Sequence, residues 1–190
     1  MELSYNHDPR FTEWVVRKGL LESPFVFIDV GVQGGIHPRW LHLGPSLRVY
    51  GFDPLEETIG PLTRLNLPNH TYQAIALGDA DGERDFFVPG ILPASSFFPR
   101  AAEQDQVRMA IDASNWQGIQ TRRVPMRKLD TLLAEGAIPP ADFIKIDCEG
   151  FEPSVLKGAG NFLTQSGVLG IESEIGFSRG DARQRRGQPW

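Results

Sequence analysis

Phe25-Val-Phe-Ile-Asp-Val-Gly-Val-Gln-Gly-Gly35 decides how this chain is read. Apolar residues surround an acid, Asp29, and give way to Gly31, Gly34 and Gly35, the layout of a buried parallel strand that leaves its sheet through a glycine turn. In an open parallel sheet ligands bind outside the carboxyl ends of the strands, and glycine lets the backbone approach them with no Cβ in the way. A second strand-like run, Leu47 to Asp53, ends in another acid roughly twenty residues on, the spacing at which a carboxylate meets ribose hydroxyls.

The glycine spacing bears on which nucleotide is held. A dinucleotide fingerprint needs Gly-x-Gly-x-x-Gly to rest a pyrophosphate on a helix N-terminus, and Gly31, Gly34 and Gly35 do not supply it. Asp29 would also face two phosphate charges at short range, which is unfavourable unless a cation intervenes. The same carboxylate suits a ligand with an ammonium and a sulfonium, and S-adenosylmethionine has both. An ordinary α/β turn is the plain alternative for the motif taken alone.

With 190 residues and 41% hydrophobic residues, the chain fits one domain with a sizeable core, residues 1–177. A net charge of -5 speaks against a nucleic-acid surface. The single cysteine, Cys148, allows no internal disulfide, and Met1-Glu-Leu-Ser-Tyr-Asn-His-Asp8 lacks the pattern of a secretory signal. No apolar run reaches the length of a membrane span, so the expectation is a cytoplasmic protein with no membrane or nucleic-acid partner.

Strands and helices alternate along the chain. Residues 1–24 are predicted to hold a covering helix, Phe11 to Leu21, with Phe11, Trp14 and Val15 on one side. Strands are predicted at Phe25 to Val30, Leu47 to Asp53, Thr71 to Ala76, Phe86 to Val88, Arg122 to Met126, Asp142 to Asp147 and Val168 to Glu174. Helices are predicted at Pro38 to Leu43, Leu55 to Leu65 and Phe151 to Leu163. Such alternation indicates an α/β fold, a mostly parallel sheet with helices on both faces.

Asp142-Phe-Ile-Lys-Ile-Asp-Cys-Glu-Gly-Phe-Glu152 is the second informative segment. Asp147 falls at the carboxyl end of its strand, on the edge where Asp29 and Asp53 lie, so three strand ends converge on one cleft. Glu149 follows in the turn and Gly150 permits a tight exit. Lys145, inside the strand, is expected to pair with a carboxylate or to line a polar cavity, because an unpaired buried ammonium is costly.

From about Phe25 to Ile175 the chain resembles the FkbM family of S-adenosylmethionine-dependent methyltransferases. The resemblance is carried by Asp29-Val-Gly31, Tyr50-Gly-Phe-Asp-Pro54, Ala76-Leu-Gly-Asp79 with Gly82, Leu129-Asp-Thr-Leu132, Ile144-Lys-Ile-Asp-Cys-Glu-Gly150 and Val155-Leu-Lys-Gly-Ala159. It implies a class I, Rossmann-like methyltransferase fold and methyl transfer, usually to a hydroxyl oxygen of a small molecule or sugar. By position it implies that Asp29 and Gly31, with Gly34 in the same loop, hold the methionine part of the cofactor. Asp53 would take the ribose hydroxyls and Asp79 the adenine amino group, while Asp147 and Glu149 would lie where the acceptor meets the methyl.

Those roles suit the chemistry. Methyl transfer to a hydroxyl needs alignment and a place for the proton, and Asp147 or Glu149 could act as base or bind a divalent cation that acidifies the hydroxyl. Oxygen ligands favour magnesium or calcium, and no tight His/Cys spacing suggests zinc. Simpler readings stand beside these. Asp29 or Asp53 would serve as caps, Asp79 as a turn residue, Glu149 as a solvated acid near a helix start, and Asp147 as the partner of Lys145. His37 could contact substrate or serve as base, but reads rather as a surface or capping histidine; Glu172 and Glu174 share one face of the last strand, so at least one is a cleft candidate unless both are simply solvated; and Cys148 beside two acids should have a raised thiol pKa.

Residues 89–118, with Ser95, Ser96, Phe97, Phe98 and Trp116, form a long connector or lid where acceptor specificity is expected. From Gly176 the sequence lacks the apolar content of the antiparallel hairpin that completes such sheets, and residues 178–190 read as a disordered tail. The strand ending at Glu174 would then be an edge open to self-association. Two rival readings follow: a catalytically inactive domain that binds cofactor or a partner, and a nucleotide-dependent oxidoreductase on a similar sheet.

Overall fold

The computed structural model describes residues 10–88, 95–98 and 119–174. The expectations for Trp116, for most of the 89–118 connector and for the tail fall outside these residues.

Five parallel strands form the main sheet: β1 (Phe25–Val30), β2 (Leu47–Phe52), β3 (His70–Gln73), β7 (Phe143–Ile146) and β8 (Gly170–Ser173). Their order is β3-β2-β1-β7-β8, so the chain winds outward from β1 in one direction and later returns to the other side of it. The point of reversal, between β1 and β7, is where an open α/β sheet leaves a crevice. Val26, Ile28 and Val30 turn to one face of β1 and pack with Ile144, Ile146, Val155 and Phe162, while Phe27 turns to the other and packs with Leu43, Leu47 and Val49. Trp40, on the short 3-10 helix Pro38–Ser46, stacks on Phe27 at 4.3 Å between ring centres. Both faces are covered, so β1 is apolar at nearly every position.

Several predicted elements are corrected. Thr71 to Ala76 is not one strand: β3 ends at Gln73, and β4 (Ala76–Leu77) leaves the main sheet to join β5 (Gly82–Val88) and β6 (Gln120–Arg127). That second sheet has the order β4-β6-β5, with β5 and β6 antiparallel, so the protein is not built on parallel pairing alone. The predicted helix Phe151 to Leu163 is two helices. In label order, α1 is Arg10–Arg17, α2 Glu56–Arg64, α3 Leu129–Ala134, α4 Glu152–Lys157 and α5 Gly160–Gln165. Two backbones cross at the break between α4 and α5: a Cβ on Gly158 would sit 1.9 Å from the Gly78 carbonyl oxygen. The Asp130 carboxylate then accepts the N–H groups of Asn161 (3.2 Å) and Phe162 (2.7 Å) and starts a new helix.

α1 packs on the 3-10 helix and the Phe27 cluster over one face of the sheet, but not with the predicted face. Phe11 (75% exposed) and Trp14 (43%) point outward, and Val16 meets the Phe27 cluster while Glu13 binds His42 at 2.8 Å. The helix has apolar residues on two sides, and its own spacing does not say which will dock.

Candidate active site

A cavity opens where β1, β2 and β7 end. Val30 and Gly31, the residues from Phe52 to Leu55, Ile75 to Leu77, Phe86, Ser95, Phe97, Lys145 and the residues from Asp147 to Glu149 all line it. The strand ends are tied to each other through the backbone. Asp147 N–H donates to Val30 O at 3.0 Å, and Gly31 N–H donates to Phe52 O at 2.8 Å. Gly31, at φ 82°, lets the two loops touch, because a Cβ there would lie 1.9 Å from the Asp147 carbonyl oxygen.

Asp29 and Lys145 are cross-strand partners, and Asp147 lies two residues beyond Lys145 on the same face. The Lys145 ammonium sits 3.2 Å from both Asp29 Oδ1 and Asp147 Oδ2, as the sequence led us to expect of a strand lysine. Asp29 is only 2% exposed; burial raises its pKa, and Lys145 works in the opposite direction. For Lys145 burial acts to lower the pKa, but the attraction of Asp29 and Asp147 outweighs it and the net shift is upward. Asp29 is sealed behind Lys145 and does not line the cavity, whereas Lys145 does.

Asp53 lines the cavity and also accepts the Leu55 N–H at 2.8 Å, so the capping role and the cleft position coexist. Its pKa is raised by burial, against the hydrogen bonds from Leu55 and Thr58. Beyond β7 the turn is held by the buried Glu152, whose Oε1 accepts the N–H groups of Cys148 (2.8 Å) and Gly150 (3.2 Å). Glu149 there takes φ 51°, a left-handed conformation unusual for a glutamate and one that clusters at functional sites. Carboxylate oxygens of Asp147, Glu149 and Glu174 come within 4.8 Å of one another, a donor set that could hold a hard divalent cation.

Ser96, buried between the lining residues Ser95 and Phe97, backs the same wall. Its hydroxyl donates to Glu149 O at 3.1 Å, and its backbone pairs with Phe87. Phe97 packs between Phe86 (4.8 Å) and Phe151 (4.2 Å), and the Arg84 guanidinium lies over Phe97 and Phe151.

Not all the residues singled out in the sequence reach the cavity. Asp79 lies outside the lining: Lys157 Nζ is 3.2 Å from its Oδ2 and Arg84 is 3.8 Å from its Oδ1. Burial acts to raise its pKa, but hydrogen bonds from Ser154 and Lys157 prevail and lower it. Asp79 therefore braces Arg84, which in turn covers the aromatic wall. Gly34 is exposed at φ 70° with open space around it. His37 accepts the Arg39 N–H at 3.2 Å, the capping reading. Glu172 pairs with Arg39, leaving Glu174 as the member of the pair beside the acids. Burial pushes the Cys148 thiol far upward.

Glu152 was not singled out from the sequence, Lys145 was expected only as a partner for a carboxylate or a lining of a polar cavity, and Ser95 was noted only as part of the 89–118 connector. Lys145 carried a signal, a charge inside an apolar strand; Ser95 and Glu152 carried none beyond their neighbours.

A five-stranded parallel sheet with its crevice at the β1/β7 reversal, flanked by helices and with acids at three strand ends, defines the Rossmann-like class of methyltransferase folds. Residues 29–186 match the family described as Methyltransferase FkbM domain, and the chain belongs to that family. A similar solved structure is the crystal structure of methyltransferase FkbM from Methylobacillus flagellatus KT, with 17% identity and a TM-score of 0.46. The similarity covers 78% of this chain and 33% of that one, so the chain spans about a third of that protein's length. No curated protein matches the chain. No helix among the described residues is long and apolar enough to cross a membrane.

Proposed function

We propose that the chain binds S-adenosylmethionine and transfers its methyl group to a hydroxyl oxygen of a small molecule or sugar. The observation that carries this is the convergence of Asp53, Lys145, Asp147 and Glu149 on one cavity whose remaining wall is largely apolar. The donor set fits the cofactor. Apolar side chains suit the adenosine, Asp53 suits the ribose hydroxyls, and an acid-rich end suits an ammonium and a sulfonium. When bound, the cofactor supplies an electrophilic methyl group.

The chain's own residues do the rest. Asp53 grips the ribose, and Gly31 keeps the β1 and β7 loops in contact so that the two ends of the site hold a fixed separation. Asp147 takes the proton of the acceptor hydroxyl, and Lys145 holds one Asp147 oxygen so that the side chain keeps its place. Asp29 acts at one remove, by anchoring Lys145.

A second version is favoured by the Asp147, Glu149 and Glu174 cluster: these acids would hold magnesium or calcium, and such an ion would supply the Lewis acidity that makes the acceptor hydroxyl easier to deprotonate. Calorimetric titration with S-adenosylhomocysteine, followed by transfer of labelled methyl from S-adenosylmethionine to hydroxyl compounds, tests the proposal. Binding and transfer support it. Binding without transfer to any acceptor favours the inactive-domain reading, and absence of binding refutes the cofactor.

A further inference from the structure

Ser95 stands on the cavity wall with its hydroxyl buried and without a hydrogen-bond partner. Five buried side-chain polar atoms are unpartnered among the described residues, and of these only the Ser95 hydroxyl belongs to a residue that lines the cavity. Leaving such a group unmatched is costly, and a ligand in the cavity is a natural partner.

Its position is well fixed. The next residue, Ser96, exchanges backbone hydrogen bonds with Phe87 (2.9 and 3.0 Å), donates its hydroxyl to Glu149 O, and accepts the Phe98 N–H at 3.1 Å. Ile75, Leu77, Phe86 and Phe97 supply apolar wall to the same cavity. A flat heteroaromatic ring needs such a slot plus one or two polar contacts at its edge. Asp79 is not placed to give one, since it lies outside the lining in contact with Lys157 and Arg84. The acids at the other strand ends suit the ribose and the charged end of the cofactor. A serine hydroxyl both donates and accepts, so it can meet a ring nitrogen or an exocyclic amine.

We propose that Ser95 is the polar contact for the adenine ring of the cofactor, an assignment that rests on the cofactor reading above. The test uses Ser95→Ala, Ser96→Ala and wild type, each titrated with S-adenosylhomocysteine and with methylthioadenosine, and each melted without ligand. Ser95→Ala should lose roughly tenfold in affinity for both ligands, which share the adenosine, with an unliganded Tm no lower than wild type. Ser96→Ala, which breaks contacts within the wall, should lower the Tm. Unchanged affinities in Ser95→Ala would overturn the proposal and turn the hydroxyl toward the acceptor. A loss for S-adenosylhomocysteine alone would overturn it in favour of the amino-acid end, and a Tm drop matching Ser96→Ala would make Ser95 structural. Failure of wild type to bind either ligand would instead remove the cofactor reading itself.

Discussion

Gly31 and Asp147 cross so closely that a single added carbon on Gly31 would lie 1.9 Å from the Asp147 carbonyl oxygen. Two loops from distant parts of the chain are thereby fixed against each other, and the cavity takes its shape from the contact. The clash is with backbone, so no side-chain movement relieves it. Gly31→Ala should cost about 1–3 kcal/mol from its positive φ alone, and more from the overlap. Urea unfolding should show the loss, and a stability equal to wild type would mean that the crossing is not maintained in solution.

Asp147→Asn keeps the shape and removes the charge. If Asp147 takes the acceptor proton or binds a cation, kcat should fall roughly 10²-fold or more while the Kd for S-adenosylhomocysteine stays near wild type. Assays after chelation divide the two routes: full activity in chelator leaves only the direct base, and restoration by added magnesium favours the metal. An Asn variant that is merely less stable, with normal turnover per folded molecule, would reduce Asp147 to a partner of Lys145.

Lys145→Met strands the Asp29 carboxylate, 2% exposed, without its cation. We expect a loss of about 2–4 kcal/mol at neutral pH, partly recovered in the Asp29→Asn/Lys145→Met double variant. In wild type the raised Lys145 pKa means that its contribution is whole below the ordinary lysine range. It is lost only as the pH rises through the raised folded value. Denaturation at neutral and alkaline pH checks both statements; a double variant as unstable as the single one would break the pairing argument.

Asp53→Asn separates binding from stability. The folded pKa of Asp53 is raised, so wild-type stability declines as the pH climbs from the ordinary aspartate value through the folded one, since the unfolded chain ionises first. The Asn variant lacks that decline and can still accept the Leu55 N–H. It should be at least as stable as wild type at neutral pH, with its advantage shrinking in acid. Its affinity for S-adenosylhomocysteine should nevertheless fall about tenfold or more, because charge-assisted hydrogen bonds to the ribose are each worth roughly 1.5–3 kcal/mol. Unchanged affinity would remove Asp53 from the ribose.

The sequence by itself determined the sheet's centre and the site's edge. Phe25 to Val30, Leu47 to Phe52 and Phe143 to Ile146 are strands of a sheet covered on both faces, so they are mostly apolar, broken only by single charges at Asp29, Arg48 and Lys145, and legible from one dimension. The acids that close them had to fall at one edge because parallel strands share a direction. Lys145 was legible as a partner of some carboxylate, because a buried ammonium demands one.

Tertiary structure alone decided the rest, because it depends on which distant backbones meet. No local spacing reveals that Gly158 lies against Gly78 where a helix-like run breaks in two, or that Asp130 will start the second helix. Nor does it reveal that Asp29 is sealed behind Lys145, or that Asp79 turns to Lys157 and Arg84 outside the cavity lining. Alternation of strands and helices likewise could not say that Ala76 and Leu77 would pair with Met126 and Arg127. Periodicity records which side chains are apolar, whereas a crossing of backbones or a choice among charged partners is a relation between segments tens of residues apart, settled only when the chain closes.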